Sequence, residues 1–347
     1  MQERIEGKWI DCFVDVFALC NVQKGDPIAI LSETQSRPVN VQLSELALLR
    51  LGAQPFHVVI PTPPQSVAVP IRSTGTTAAI QHLKPVMAAL TAVPLVIDVT
   101  VEGMVHAPET REVMAAGGRI LYISNEHPEL LERCMPDPAL KPKVERGRDM
   151  LRRTKVMHVT SEAGTDLTID VEGAAVSGGW GIPDAPGTLS HWPGGLVACY
   201  PKAGAVNGRV VMDRGDINLT FKRYLESPVE LIYEKDYAVE IKGDGLDADL
   251  MRSYFAAWAD KDAYASSHVG WGMNPGARWD AMTMYDRSQM NGTEQRAFAG
   301  NFLFSTGANK HANRYTLGHF DLPMRNCTIT LDNTTIVRKG VLQGDLA

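Results

Sequence analysis

The segment Gly318-His319-Phe320-Asp321-Leu322-Pro323-Met324 sets an imidazole and a carboxylate two positions apart among apolar neighbours. In an extended strand, residues i and i+2 share a face, so His319 and Asp321 would point the same way. One more imidazole would complete the two-histidine, one-carboxylate face that holds non-haem Fe(II) and leaves coordination positions open. The best third donor is His268, in Ser266-Ser267-His268-Val269-Gly270-Trp271-Gly272. Its glycine neighbours let backbone approach a bound group closely. The bland alternatives are a hydrogen-bonded His–Asp pair and a loop histidine. A buried carboxylate needs either a partner or a metal, and the local pattern leaves both open.

Further candidates stand apart in the chain. His191, in Ser190-His191-Trp192-Pro193-Gly194-Gly195, belongs to a shaped loop that could bind substrate or act as an acid or base, or simply turn. His106, in Met104-Val105-His106-Ala107-Pro108, follows an expected strand, where α/β folds place their ligands. The run Asn301 to Gly307 ends in Ser305-Thr306-Gly307 and could offer a hydroxyl to a ligand, or just end a strand. His57 and His158, inside strand-like runs, are read as packing or surface residues, and His82, on an expected helix, and His127 and His311, in polar surroundings, are assigned no role. Segment 73–77 (STGTT) is a weak likeness of a phosphate loop. The chain has no G-x-G-x-x-G after a strand, no Walker A motif, no H-E-x-x-H and no G-x-S-x-G.

The elements that must position these groups fall into two textures. In the first half, apolar runs at 27–32, 56–60, 94–101 and 119–123 read as strands. They alternate with helical patterns at 41–52, 77–92 (kinked at Pro85), 108–116 and 128–135. That alternation predicts an α/β N-terminal domain around a parallel sheet, Rossmann-like, over 1–154, closed by a charged helix at 140–153. From 155 to 347 the pattern turns to strands, at 155–160, 166–171, 209–212, 229–233, 238–241, 302–305 and 328–331. One helix is expected at 247–259 with Asp247 as its N-cap. This second half reads as a mainly antiparallel β (α+β), metal-binding catalytic domain.

Bulk properties narrow the partners. The chain has 347 residues, 44% hydrophobic and 21% charged, with a net charge of −6. No Lys/Arg stripe stands out, which argues against nucleic acid and anionic membranes. The five cysteines include no C-x-x-C pair, so a reducing, cytoplasmic setting is expected rather than a disulfide framework or Cys-based zinc. No apolar run approaches a membrane span and the N-terminus lacks a signal-peptide pattern.

Taken together, His268-Val269-Gly270-Trp271-Gly272, His191-Trp192-Pro193, the 300–307 run, His319-Phe320-Asp321-Leu322-Pro323 and, more loosely, Val105-His106-Ala107-Pro108 and Ala163-Gly164-Thr165-Asp166 resemble the 2,5-dihydroxypyridine 5,6-dioxygenases. The resemblance spans nearly the whole chain. It implies Fe(II) bound by His268, His319 and Asp321, His106 and His191 in proton transfer, and Val105 and Ser305 lining the pocket. It implies ring opening of 2,5-dihydroxypyridine with O2, between carbons 5 and 6, to N-formylmaleamate in nicotinate degradation, by a homo-oligomer. The family is itself similar to two-metal aminopeptidases, the alternative reading. Those relatives carry a Glu in the strand where this chain has Pro193-Gly194-Gly195-Leu196-Val197, and a carboxylate about where His268 stands. Gly195 and His268 therefore favour a single iron. The loops at 178–189 and 308–316 depart from the family picture.

Overall fold

The computed structural model describes residues 4–64 and 77–347. Of the phosphate-loop likeness at 73–77, only Thr77 lies among them. Five parallel strands form the first sheet, in the spatial order Gln54–Ile60, Pro27–Glu33, Leu95–Asp98, Arg119–Tyr122 and Leu189–His191. Leu95–Asp98 and Arg119–Tyr122 are buried throughout, which is why they read as unbroken apolar runs rather than alternating ones. The fifth strand comes from beyond residue 154, so the chain returns to this sheet after entering the second half. Helices flank it, and the first, Gly7–Leu19, was not anticipated. It buries Trp9, Cys12, Phe13, Val16 and Phe17, a three-and-four spacing that marks one helical face.

Two larger antiparallel sheets and a two-stranded antiparallel ribbon of Ile217–Asn218 with Arg223–Tyr224 complete the fold among the described residues. One has eight strands running from Tyr237–Lys242 at one edge to Val341–Leu342 at the other. The other has five, in the order Asp321–Met324, Phe302–Thr306, Ser266–Gly272, Leu196–Tyr200 and Ala175–Gly179. The architecture is therefore a helix-flanked parallel sheet joined to antiparallel sheets, as expected. One continuous apolar core runs through both, from Trp9 and Phe17 through Trp192 and Trp271 to Phe320 and Ile329.

Three local expectations are corrected. The helix expected over 77–92 occupies only Lys84–Thr91, because Pro85 lacks an amide donor and suits only a first helical turn. Asp247 does not cap its helix. Gly245 occupies the N-cap, while Asp247 accepts the Glu226 amide at 2.8 Å and pairs with Arg223 at 3.0 Å. His319 lies just before the strand that begins at Asp321 rather than inside it. No helix among the described residues is long and apolar enough to cross a membrane.

Candidate metal centre and active site

Phe320 sets the geometry of the His319–Asp321 pair. Its fully buried ring packs 4.1 Å from Tyr254, 5.0 Å from Phe255 and 5.9 Å from Phe221, centroid to centroid. With Phe320 committed to that cluster, its two neighbours turn to the opposite side. Tyr254 also clamps the backbone: its hydroxyl accepts from the His319 amide at 2.9 Å and donates to the His319 carbonyl at 2.7 Å. The result brings His319 Nε2 to 3.2 Å from Asp321 Oδ2.

His268 reaches the same point from the middle strand of the five-stranded sheet. Ser266 pairs with Thr306 and Val269 with Phe304, so three steps on one strand oppose two on its neighbour. That extra residue is a β-bulge, which breaks alternation and re-aims a side chain. His268 Nε2 lies 3.6 Å from Asp321 Oδ1. Ser305 stands directly across from Asp321 in the ladder and is fully buried. Its hydroxyl donates to Asp321 Oδ1 and sits 3.1 Å from His268 Nδ1. Ser305, expected on the pocket wall, thus touches both other groups. With Nδ1 engaged, His268 presents Nε2 inward.

The parallel sheet supplies the opposite wall. His106 occupies a turn beyond Leu95–Asp98, fastened by Asp98, whose carboxylate accepts from the Thr100 amide at 3.0 Å, the Thr100 hydroxyl at 2.7 Å and the Met104 amide at 2.8 Å. Val105 sits half-buried in that turn. The His106 ring lies 6.1 Å from His268 and 5.6 Å from His319. One ring nitrogen from each of His106, His268 and His319 falls within 4.8 Å of the others. His191 ends the fifth parallel strand with its ring edge-on to Tyr122 at 5.0 Å. Two residues not singled out from sequence complete the site. Arg296 donates from Nε to Asp321 Oδ2 at 2.5 Å. Tyr200 packs edge-on to His268 at 5.5 Å. A lone Arg in a five-residue helix and a Tyr closing an unread strand carried no sequence signal.

Burial sets the charges. Desolvation, then neighbouring imidazoles, holds His106 well below the usual histidine range. Desolvation pulls His191 and His268 to about 4. Burial alone would raise the Asp321 carboxyl, but Arg296, then His319 and His268, hold it well below the usual carboxylate range. Neutral imidazoles and an ionised carboxylate are the forms in which these groups ligate a divalent transition metal, so the donor set fits one. His268 and His319 are common to two possible sets. The third donor is Asp321 or His106.

A sequence profile of the 2,5-dihydroxypyridine 5,6-dioxygenases matches residues 8–344. The chain belongs to this family. A 2,5-dihydroxypyridine 5,6-dioxygenase of Pseudomonas putida is 35% identical over 333 residues, covering 94% of each chain. The solved structure of the Pseudomonas putida KT2440 dioxygenase superposes with a TM-score of 0.92 at 33% identity, covering 97% of this chain and 98% of that one. AmpT from Thermus thermophilus shares the fold, with a TM-score of 0.63 at 16% identity over 97% of this chain and 99% of AmpT. The family assignment leaves the aminopeptidase reading the weaker one. Gly195 adds a steric reason. At φ +93° a Cβ there would lie 2.8 Å from Asn274 Cβ and 2.9 Å from Leu140 Cδ2, so a Glu does not fit.

Proposed function

We propose that this chain is a non-haem Fe(II) dioxygenase that opens 2,5-dihydroxypyridine between carbons 5 and 6. Both atoms of O2 enter the product, N-formylmaleamate, and the ring atoms and oxygen balance without a further co-reactant. The observation that carries the reading is the convergence of His268 Nε2 and His319 Nε2 on the Asp321 carboxylate, 3.6 and 3.2 Å away, in a chain of this family.

In this reading His268, His319 and Asp321 hold the metal, an arrangement suited to Fe(II) oxygenases. When bound, Fe(II) supplies open coordination positions and a path for electrons between ring and dioxygen. The protein's own groups do the rest. His106 faces the ligand cluster from the opposite wall and is held neutral, so a ring nitrogen can accept the proton of a ring hydroxyl. His191 serves the same purpose from the fifth parallel strand, or holds the substrate. Val105 belongs to the pocket wall. Ser305 and Tyr254 keep His268 and His319 oriented. Five free, buried cysteines suit a reducing cytoplasm. The expected assembly is a homo-oligomer, on family resemblance alone, and light scattering reads it.

The decisive experiment loads the protein anaerobically with Fe(II), adds 2,5-dihydroxypyridine and O2, and follows oxygen uptake with ring absorbance. One O2 consumed per ring lost supports the reading. Iron bound without uptake moves the search to other dihydroxylated heterocycles, and no metal binding overturns the iron site.

A further inference from the structure

Arg296 is the one cation in direct contact with the candidate ligands among the described residues. It is deliberately held. The short helix Thr293–Ala297 that carries it is anchored by the buried Glu126, whose carboxylate accepts the Thr293 amide at 2.6 Å and the Asn291 amide at 3.1 Å. Arg296 Nη1 donates to the Asn291 carbonyl at 3.3 Å and to its side-chain oxygen at 3.2 Å. Nε is left to meet Asp321 Oδ2, while Ser305 occupies Oδ1. The guanidinium side chain is 14% exposed, so water screens it little.

The consequence is electrostatic. A divalent metal on two neutral imidazoles and one carboxylate keeps one unbalanced positive charge. A buried guanidinium paired to that carboxylate cancels the carboxylate's contribution and restores a second. Each carboxylate oxygen accepts one of these donors and keeps a lone pair for a metal.

We propose that Arg296 is a positioning residue that acts through Asp321 to keep the metal site doubly positive, so that the site selects ring ligands in their anionic form. This rests on the assignment of His268, His319 and Asp321 to the metal. Arg296 opposes metal binding and promotes anion binding, an opposition that a purely structural residue does not produce.

The test uses wild type, Arg296→Met and Arg296→Lys, each stripped of metal and titrated with Co(II), then probed in the Co(II) form with pyridine-2-carboxylate and its neutral isostere pyridine-2-carboxamide. Wild type is expected to prefer the carboxylate. Arg296→Met is expected to lose that preference by on the order of tenfold or more while binding Co(II) at least as tightly as wild type. Arg296→Lys keeps the charge and the preference. If wild type shows no preference, or if a folded Arg296→Met keeps it, the proposal is overturned, and loss of the preference in a folded Arg296→Lys overturns it equally. Should Arg296→Met fail to fold, Arg296→Gln, which also removes the charge, takes its place in the same comparison. Failure of the parent reading looks different: wild type then binds no metal, or takes up no oxygen with 2,5-dihydroxypyridine.

Discussion

Ser305 and Asp321 face each other across paired strands, and the serine hydroxyl joins the aspartate carboxylate to the far side of the His268 ring. One small side chain therefore fixes both the tautomer of one candidate ligand and the rotamer of another. Ser305→Ala is expected to fold normally and to bind Fe(II) or Co(II) about 10- to 100-fold more weakly. Metal titration of the stripped variant measures this. An unchanged affinity would place Ser305 outside the metal's support.

Asp321→Asn and His106→Gln separate the two possible third donors. Asp321→Asn, like His268→Ala and His319→Ala, is expected to lose bound iron. His106→Gln is expected to keep one iron per chain while turnover falls roughly 100- to 10,000-fold, as for loss of a general base. Iron analysis beside a rate assay reads both, and the reverse pattern would assign the third position to His106.

His191 makes stability depend on pH. Its folded pKa of about 4 lies below the ordinary histidine value. Between these, the unfolded chain binds the proton and the folded chain does not, so stability falls as pH drops from about 6.5 towards 4. His191→Gln should remove a contribution on the order of 2 kcal/mol, allowing for solvent at a half-buried ring. Asp98, raised to about 6 chiefly by burial, works the other way, since its folded form holds a proton that the unfolded chain has released. Urea unfolding of wild type and His191→Gln at pH 7.5 and 5 isolates the histidine term. Equal pH slopes in the two proteins would dismiss it.

Gly195→Ala should destabilise by about 1–3 kcal/mol, because overpacking adds to an unfavourable backbone angle. Gly195→Glu should fail to create a second metal site. Thermal melts and an assay on aminoacyl substrates check the pair, and peptidase activity in the Glu variant would contradict the steric argument.

The His319-Phe320-Asp321 pattern was legible because a period of two is a local property, and the burial of Phe320 converts it into a shared direction. The parallel sheet was legible for the same kind of reason, through continuous apolar runs. Its fifth strand was not, since Leu189–His191 is three residues long and too short for any period to show. The helix at 77–92 misled because apolar spacing outvoted Pro85. Arg296 and the role of Ser305 depend on what lies opposite them in space, and a single sequence records neither the ladder partner of Ser305 nor the anchoring of Thr293 by Glu126.

The bulge at His268 makes this centre unusually sensitive to chain length. Substituting a neighbour changes one contact, whereas deleting one residue between Ser266 and Val269 would return the strand to strict alternation and swing the imidazole to another face. Within this stretch, a point replacement is an adjustment, but a lost codon is an erasure of the site.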